Sequence, residues 1–366
     1  MENSKAFLDR CQEYDVGAVE RIITDGIAYL GVELPRQSKV LLKPNVLSPH
    51  PPERHITTHP VVIEAMVRVL LDSGNEIVIA DSCCVPGRTA HALERTGIAD
   101  IGKRFDRVSV VPFEELPTRP FTNPDNRYLP EVGLSRILDD VAGVINMPKL
   151  KAHMLTRITA AVKNLLGCIP GGGKQQAHVK APSNQEFSQL LVDLYGFIEP
   201  KILLNVIDGI VGLDGFGPGP GGRRKPANLV GLSADAVALD AACSRATRLD
   251  PQEVWTTRFA IERGLGSVAS ETNQDIEPVR FWLPKPLRFP RFLSSRVSGL
   301  QRRRPVLNID NCKQCGLCAE ICPVQCITMG EYPSWDYAKC IYCYCCHESC
   351  PHAAIKLKFS LSLART

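Results

Sequence analysis

The 366-residue sequence has no long apolar run and no low-complexity tract. Nothing in it reaches the roughly 20 consecutive apolar residues that a membrane-spanning helix needs. The opening MENSKAFLDRCQEYD carries acids and lacks the apolar segment of a secretory signal, so a cytoplasmic protein is expected. Net charge is also scarce. Forty-three Lys and Arg against 39 Asp and Glu leave +4, too little to point to a nucleic-acid partner. No G-x-G-x-x-G follows the first predicted strand, so neither a nicotinamide nor a flavin site is expected. No Ser-His-Asp order or nucleophile elbow is present, which argues against hydrolysis. The glycine-rich GCIPGGGK (167–174) fails as a phosphate loop, because Cys168 and Gln175 stand where Gly and Ser or Thr are required. A lid bringing Lys174 and His178 inward is the reading kept for it, and GFGPGPGG (215–222) reads as a second such loop or a plain turn.

Acidic residues are missing altogether between Arg280 and Arg304, where Lys and Arg total eight. Phe281, Trp282, Phe289 and Phe292 alternate there with Arg280, Lys285, Arg288 and Arg291, ahead of Arg302, Arg303 and Arg304. The stretch reads as a linker over 271–305, with charge suited to steering an acidic redox partner. Contact with a membrane surface is not expected.

What the sequence does contain, up to about residue 270, is an alternation of buried strands and helices. KVLLKPNV (39–46) reads as a strand broken at Pro44, HPVVIEAMVRVLLDSG (59–74) as a helix, and NEIVIADS (75–82) as a second strand. Further strands are expected at 107–113, 141–148, 201–210 and 228–235, with helices at 156–167 and 235–247. The expected fold is an α/β domain over 15–270, a mostly parallel sheet with flanking helices. A small α+β ferredoxin-like module follows over 306–358.

Ten of the 15 cysteines crowd into Cys312–Cys350. CKQCGLCAEICP and CIYCYCCHESCP repeat the spacing C-x2-C-x2-C-x3-C-P, which resembles the bacterial-type two-cluster ferredoxins. That resemblance implies two [4Fe–4S] clusters with exchanged fourth ligands. Cys312, Cys315, Cys318 and Cys350 would hold one, and Cys340, Cys343, Cys346 and Cys322 the other. A pair of zinc knuckles is the competing reading, but it leaves the third and fourth cysteines of each repeat without a role. Cys326 and Cys345 fall outside the ligand set, and His347 and His352 are expected at the surface.

Polar residues gather at the ends of successive apolar strands, where a parallel sheet binds ligands. Lys43 and Asn45 end one strand, Asp81 and Ser82 the next, and Lys149, Lys151 and His153 a later one, with Lys163 and Asn164 on the helix that follows. Together with Lys174 they predict a positive crevice for a carboxylate or phosphate, with His153 or Lys163 as the proton source. Solvated surface lysines are the alternative. A metal site built from His55, His59, His153 and His178 has no diagnostic spacing.

VLLKPNV, TTHPVVIEAMVRVLLDSG, IADS, INMPKLKAH, AVKNLLGCIPG, IDGIVG with GP at 217–218, and LSADAVALDAACSR resemble, in this order, the domain of unknown function 362 (DUF 362) family. That family is often joined to a ferredoxin-like module. The resemblance implies an iron–sulfur redox protein and supplies no substrate. Two functions remain open. One is a reductase that takes electrons from a soluble donor such as a ferredoxin or flavodoxin and delivers them to an anionic small molecule. The other is a non-catalytic electron-transfer or redox-responsive partner-binding protein.

Overall fold

The apolar core of Lys39–Pro44 is buried on both faces, as a strand interior to a parallel sheet must be, and Pro44 ends it by removing a ladder donor. Helix Pro60–Asp72 follows, with His59 capping the Val61 N–H and Pro60 in the first turn. It leads into the parallel neighbour Glu76–Asp81. A computed structural model describes residues 4–268, 271–283 and 303–359. The expectations placed on Lys285, Arg288, Phe289, Arg291, Phe292 and Arg302 lie outside them.

Among the described residues one mixed sheet dominates. Its order is Glu271–Thr272, Lys5–Arg10, Gly222–Ser233, Ile202–Gly215, Gly143–Met147, Lys39–Pro44, Glu76–Asp81, Val108–Pro112. The last five of these run parallel, and Gly222–Ser233 is antiparallel to both of its neighbours. Alternate side chains supply two apolar layers. Val40, Leu42, Ile77 and Ile79 pack beneath helices Val16–Leu30 and Pro60–Asp72. Leu41 and Val78 face the layer containing Leu190, Leu191, Leu194 and Val237 from helices Asn184–Ile198 and Ala236–Ala246.

Three sequence expectations change. Residues 156–167 are not one helix: Arg157–Thr159 is a strand paired with Lys149–His153, and only Ala161–Asn164 is α-helical before a tighter turn. β-Branched Ile158 and Thr159 suit the strand better than the helical spacing suggested. The sheet also begins before residue 15, since Lys5–Arg10 pairs with Gly222–Ser233. The expected linker is partly domain: Phe281 and Leu283 are buried in the α/β core, and Arg303–Leu307 is a strand of the cysteine-rich module.

That module pairs Arg303–Leu307 with Ile355–Phe359 and Ile327–Met329 with Pro333–Trp335. Two short helices, Leu317–Glu320 and Cys345–Ser349, complete it. The repeats match in backbone as well as in sequence. Gln314 and Tyr342, then Gly316 and Tyr344, all have positive φ, which curls each loop so that successive N–H groups turn inward.

Candidate functional site

The cysteines fall into two chambers. Cys312, Cys315, Cys318 and Cys350 line one, with about 360 Å3 of empty space. Cys322, Cys340, Cys343 and Cys346 line the other, about 320 Å3, together with Cys326 and Cys345. Each chamber thus draws one cysteine from the opposite repeat. Backbone amides point at sulfur in both: Gln314 N to Cys312 Sγ at 3.4 Å, Ala354 N to Cys350 Sγ at 3.3 Å, and Cys326 N to Cys322 Sγ at 3.4 Å. Four thiols around a space larger than a single ion, with N–H groups aimed at sulfur, is a donor set that fits an iron–sulfur cluster. Cys326 is buried, with its sulfur 3.5 Å from Cys322 Sγ.

The module's helix Cys345–Ser349 sits against the α/β domain. His347, expected at the surface, is buried, with its ring nitrogens 2.7 Å from Ile355 O and 3.0 Å from Phe216 O. The loop 215–222 forms its seat. A Cβ on Gly219 would lie 2.2 Å from Glu348 O, and one on Gly221 would lie 2.6 Å from the His347 ring, so only glycine permits the approach. Cys84 and Ser349 meet across the same contact, Sγ to Oγ 3.4 Å.

Behind this contact lies a cavity of about 670 Å3, open in part to solvent, at the carboxyl ends of Lys39–Pro44 and Glu76–Asp81. Asn45, Asp81, Ser82, Lys151, Lys163, Asn164 and Lys174 of the expected site line it, joined by His178. Gln175, Thr159, Cys84, Cys345, Glu348 and Ser349 line it as well. These six were missed. The last three belong to the cysteine module and carry no signal in the sequence of a role outside it.

Two of the expected anion-binding lysines are committed elsewhere. Lys43 is fully buried and pairs with Asp81 at 2.6 Å, and Lys149 pairs with Asp208 at 2.7 Å while donating to Tyr14 OH at 2.8 Å. Each buried ammonium has its counter-charge, as burial demands. Asn164 is internal scaffolding, donating to Asn146 Oδ1 at 2.8 Å and accepting from Asn45.

Lys151 and Lys163 are different. Lys151 is fully buried and, among the described residues, donates only to uncharged acceptors, Asn45 Oδ1 at 2.6 Å and Ile56 O at 2.8 Å. Burial, reinforced by Lys163 and Lys149, lowers its pKa to about 7. Lys163 is half-buried and has no hydrogen-bond acceptor among the described residues; its nitrogen lies 5.8 Å from the centre of the Phe187 ring. Burial lowers its pKa as well. His178 stacks on the same Phe187 ring, 4.2 Å between centres, and burial followed by Lys163 takes its pKa to about 3.

His153 is buried but does not line the cavity. Its Nδ1 accepts from the Leu155 and Thr156 amides at 3.1 and 3.3 Å, which puts the proton of the neutral ring on Nε2, 3.4 Å from Glu348 Oε1. Neither of these two atoms has a hydrogen-bond partner among the described residues. The segment expected as a lid is helix Gly173–Lys180, already part of the wall: Lys174 donates to Ser82 Oγ and to Ile169 O at 3.0 Å. The four histidines of the suggested metal site divide into separate pairs. His55 and His59 stack on Tyr14, away from His153 and His178.

An α/β sheet with a ligand-sized cavity at its strand ends, closed on one side by a ferredoxin-type module, defines an iron–sulfur protein of the electron-transfer class. Residues 40–245 match the family described as "Domain of unknown function (DUF362)", and 305–328 and 333–356 match the 4Fe-4S binding domain. The chain belongs to the DUF362 family and carries a ferredoxin-type 4Fe–4S binding domain. It is 30% identical over 297 residues to the thylakoid-associated protein sll1697 of Synechocystis, covering 80% of this chain and 90% of that one. Over 88 residues it is 28% identical to NADH-quinone oxidoreductase subunit I of Pelobacter propionicus, covering 19% of this chain and 47%, about half, of that protein. Among solved structures, the lactate racemase apoprotein of Thermoanaerobacterium thermosaccharolyticum aligns with a TM-score of 0.41 at 11% identity, covering 66% of this chain and 57% of that one. No helix among the described residues is long and apolar enough to cross a membrane.

Proposed function

We propose that the protein is a reductase that carries electrons from two [4Fe–4S] clusters to an anionic small molecule in the interdomain cavity. The observation that carries this reading is Cys345, which stands in the wall of both the cavity and the chamber lined by Cys322, Cys340, Cys343 and Cys346. Cys312, Cys315, Cys318 and Cys350 would hold the outer cluster, and those four cysteines the inner one. When bound, the clusters supply single electrons.

The chain's own groups do the rest. Among the described residues Lys163 and Lys151 form no ion pair with a carboxylate, and burial raises the carboxyl of Glu348 in the same lining to about 7, so an anion entering the cavity gains attraction without displacing a paired partner. Asn45 holds Lys151 in place. Lys163, with its pKa lowered by burial, is the cavity cation best placed to surrender a proton to a reduced product. His153 Nε2 lies 3.4 Å from Glu348 Oε1 behind the wall, and neither atom has a hydrogen-bond partner among the described residues. An acidic soluble donor such as a ferredoxin or flavodoxin would meet the hairpin 303–307/355–359. Arg304 pairs with Lys358 and Val306 with Lys356, which sets three cations on one face of the strand pair.

The test is anaerobic purification followed by iron and sulfide analysis, with about eight of each expected for two cubane clusters. Cys322→Ala should lower iron and alter the cluster of the second repeat, whereas Cys326→Ala should leave the content unchanged. Donor-dependent turnover of small anions that disappears in Lys163→Met completes the case. Full clusters with no turnover of any anion would instead make the chain an electron carrier.

A further inference from the structure

The cavity holds unpaired acceptors as well as unpaired cations. Gln175 is 8% exposed, and its Nε2 donates to Cys84 O at 2.7 Å. A carbonyl can only accept, so this bond fixes the amide orientation and leaves Oε1 as an acceptor. Gln175 Oε1 has no hydrogen-bond partner among the described residues, and neither does the hydroxyl of Thr159, a residue 3% exposed in the same lining. Opposite in character, Lys163 is without a hydrogen-bond acceptor among the described residues, and Lys151 has one ammonium N–H left after serving Asn45 and Ile56.

Buried polar groups without partners are costly, and native proteins rarely keep several together unless something else completes them. A simple carboxylate would satisfy the lysines and leave Gln175 Oε1 unpaired. We propose that the ligand is a small carboxylate that also carries a hydrogen-bond donor, of the hydroxy- or amino-substituted class. Its anionic group meets Lys163 and Lys151, and its O–H or N–H meets Gln175 Oε1, with Thr159 Oγ1 available as either donor or acceptor. A site with a buried acceptor rejects the analogue lacking the matching donor, because the acceptor is then stranded. This inference rests on the anion-binding reading of the cavity given above.

The experiment is calorimetric titration of the anaerobically purified full-length protein with malate, aspartate and succinate, which share a four-carbon dicarboxylate skeleton and differ in the substituent at carbon 2. Malate or aspartate should bind about tenfold more tightly than succinate, as one hydrogen bond to a buried acceptor predicts. Gln175→Leu should erase that preference while leaving succinate affinity unchanged, and Lys163→Met should weaken all three ligands. Equal affinity for the three in the parent protein would overturn the inference and leave the anion site standing. That comparison needs no variant, so it decides even if Gln175→Leu fails to fold; Thr159→Val then tests the other unpaired group. A preference that survives Gln175→Leu would overturn the assignment to this residue. Failure of all three to bind would remove the anion site and this inference with it.

Discussion

Lys149 and Lys163 are the same residue type within one domain, and they sit in opposite surroundings. At the first, Asp208, Tyr14 and the His59 backbone amide form a closed network: Asp208 accepts from Lys149 at 2.7 Å, from the His59 N–H at 2.9 Å and from Tyr14 OH at 3.1 Å. At the second, a cation faces a cavity with no acceptor among the described residues. The first ties together residues 14, 59, 149 and 208, and its charges are spent on one another. The second has charge to give. A lysine at a strand end indicates a binding site only when its counter-ion has not been supplied by the fold.

The largest expected effect breaks the closed network. Asp208→Ala leaves Lys149 buried without a counter-charge and should cost about 3–5 kcal/mol, read as a fall in the urea midpoint. Lys163→Met should scarcely move that midpoint while weakening anion binding. If both variants lose stability equally, the contrast between the two lysines is false.

Smaller, and directed at the boundary between scaffold and cavity, is Gly167→Ala. Its Cβ would fall 2.1 Å from Asp81 Oδ1 and 2.6 Å from Lys43 Nζ, forcing that buried pair apart. A loss of about 1–3 kcal/mol is expected from the overpacking, checked by thermal denaturation against Gly172→Ala, where no atom lies within 4 Å of the added carbon.

The cavity's pH response sharpens the comparison further. Lys151 has a pKa near 7, against about 10.5 for an exposed lysine. Anion affinity should be full below pH 7 and decline as pH rises through it. Stability has the opposite sign in the adjoining window. Between about 7 and 10.5 the unfolded chain holds a proton that folded Lys151 has lost, so this residue's contribution to stability increases with pH there. Lys163 and Lys149 push the pKa down, while Glu348 and Cys84 oppose them. Titration of succinate or malate at pH 6 and 8.5 checks the first claim, and Lys151→Met should reduce the response, the remainder coming from Glu348, whose pKa burial raises to about 7 in the same lining.

The smallest expected effect lies at the outer face. Replacing Arg304, Lys356 and Lys358 by Gln should reduce the salt dependence of cluster reduction by an acidic donor protein, with little change at high salt. Reduction at the parental rate in low salt would remove this face from the docking surface.

How far the sequence reached differs between the two domains for a physical reason. Three thiols of a cluster come from one tight loop, so C-x2-C-x2-C is itself the geometry, and the C-P ending marks the residue that crosses over. The strands at 39–44 and 76–81 were legible because a buried parallel strand is a continuous apolar run. Arg157–Thr159 was not, since three residues beside a helical pattern carry too little periodicity to separate strand from helix.

The sequence by itself determined the cysteine spacing, the α/β class and the gathering of polar residues at the strand ends, where the cavity lies. Only the tertiary structure decided which lysines line that cavity and which are paired away from it. Lys149 and Lys151 are two residues apart on one strand, yet Asp208, 59 residues beyond Lys149, claims one, while the other meets only the neutral Asn45 and Ile56 carbonyl oxygens. The wall formed by Cys345, Glu348 and Ser349 likewise exists only because Gly219 and Gly221 let a helix from the far end of the chain approach. Spacing along the chain encodes contacts that a single loop can make. Contacts between charges distant in sequence are settled by sheet order and by domain docking, which no local pattern records.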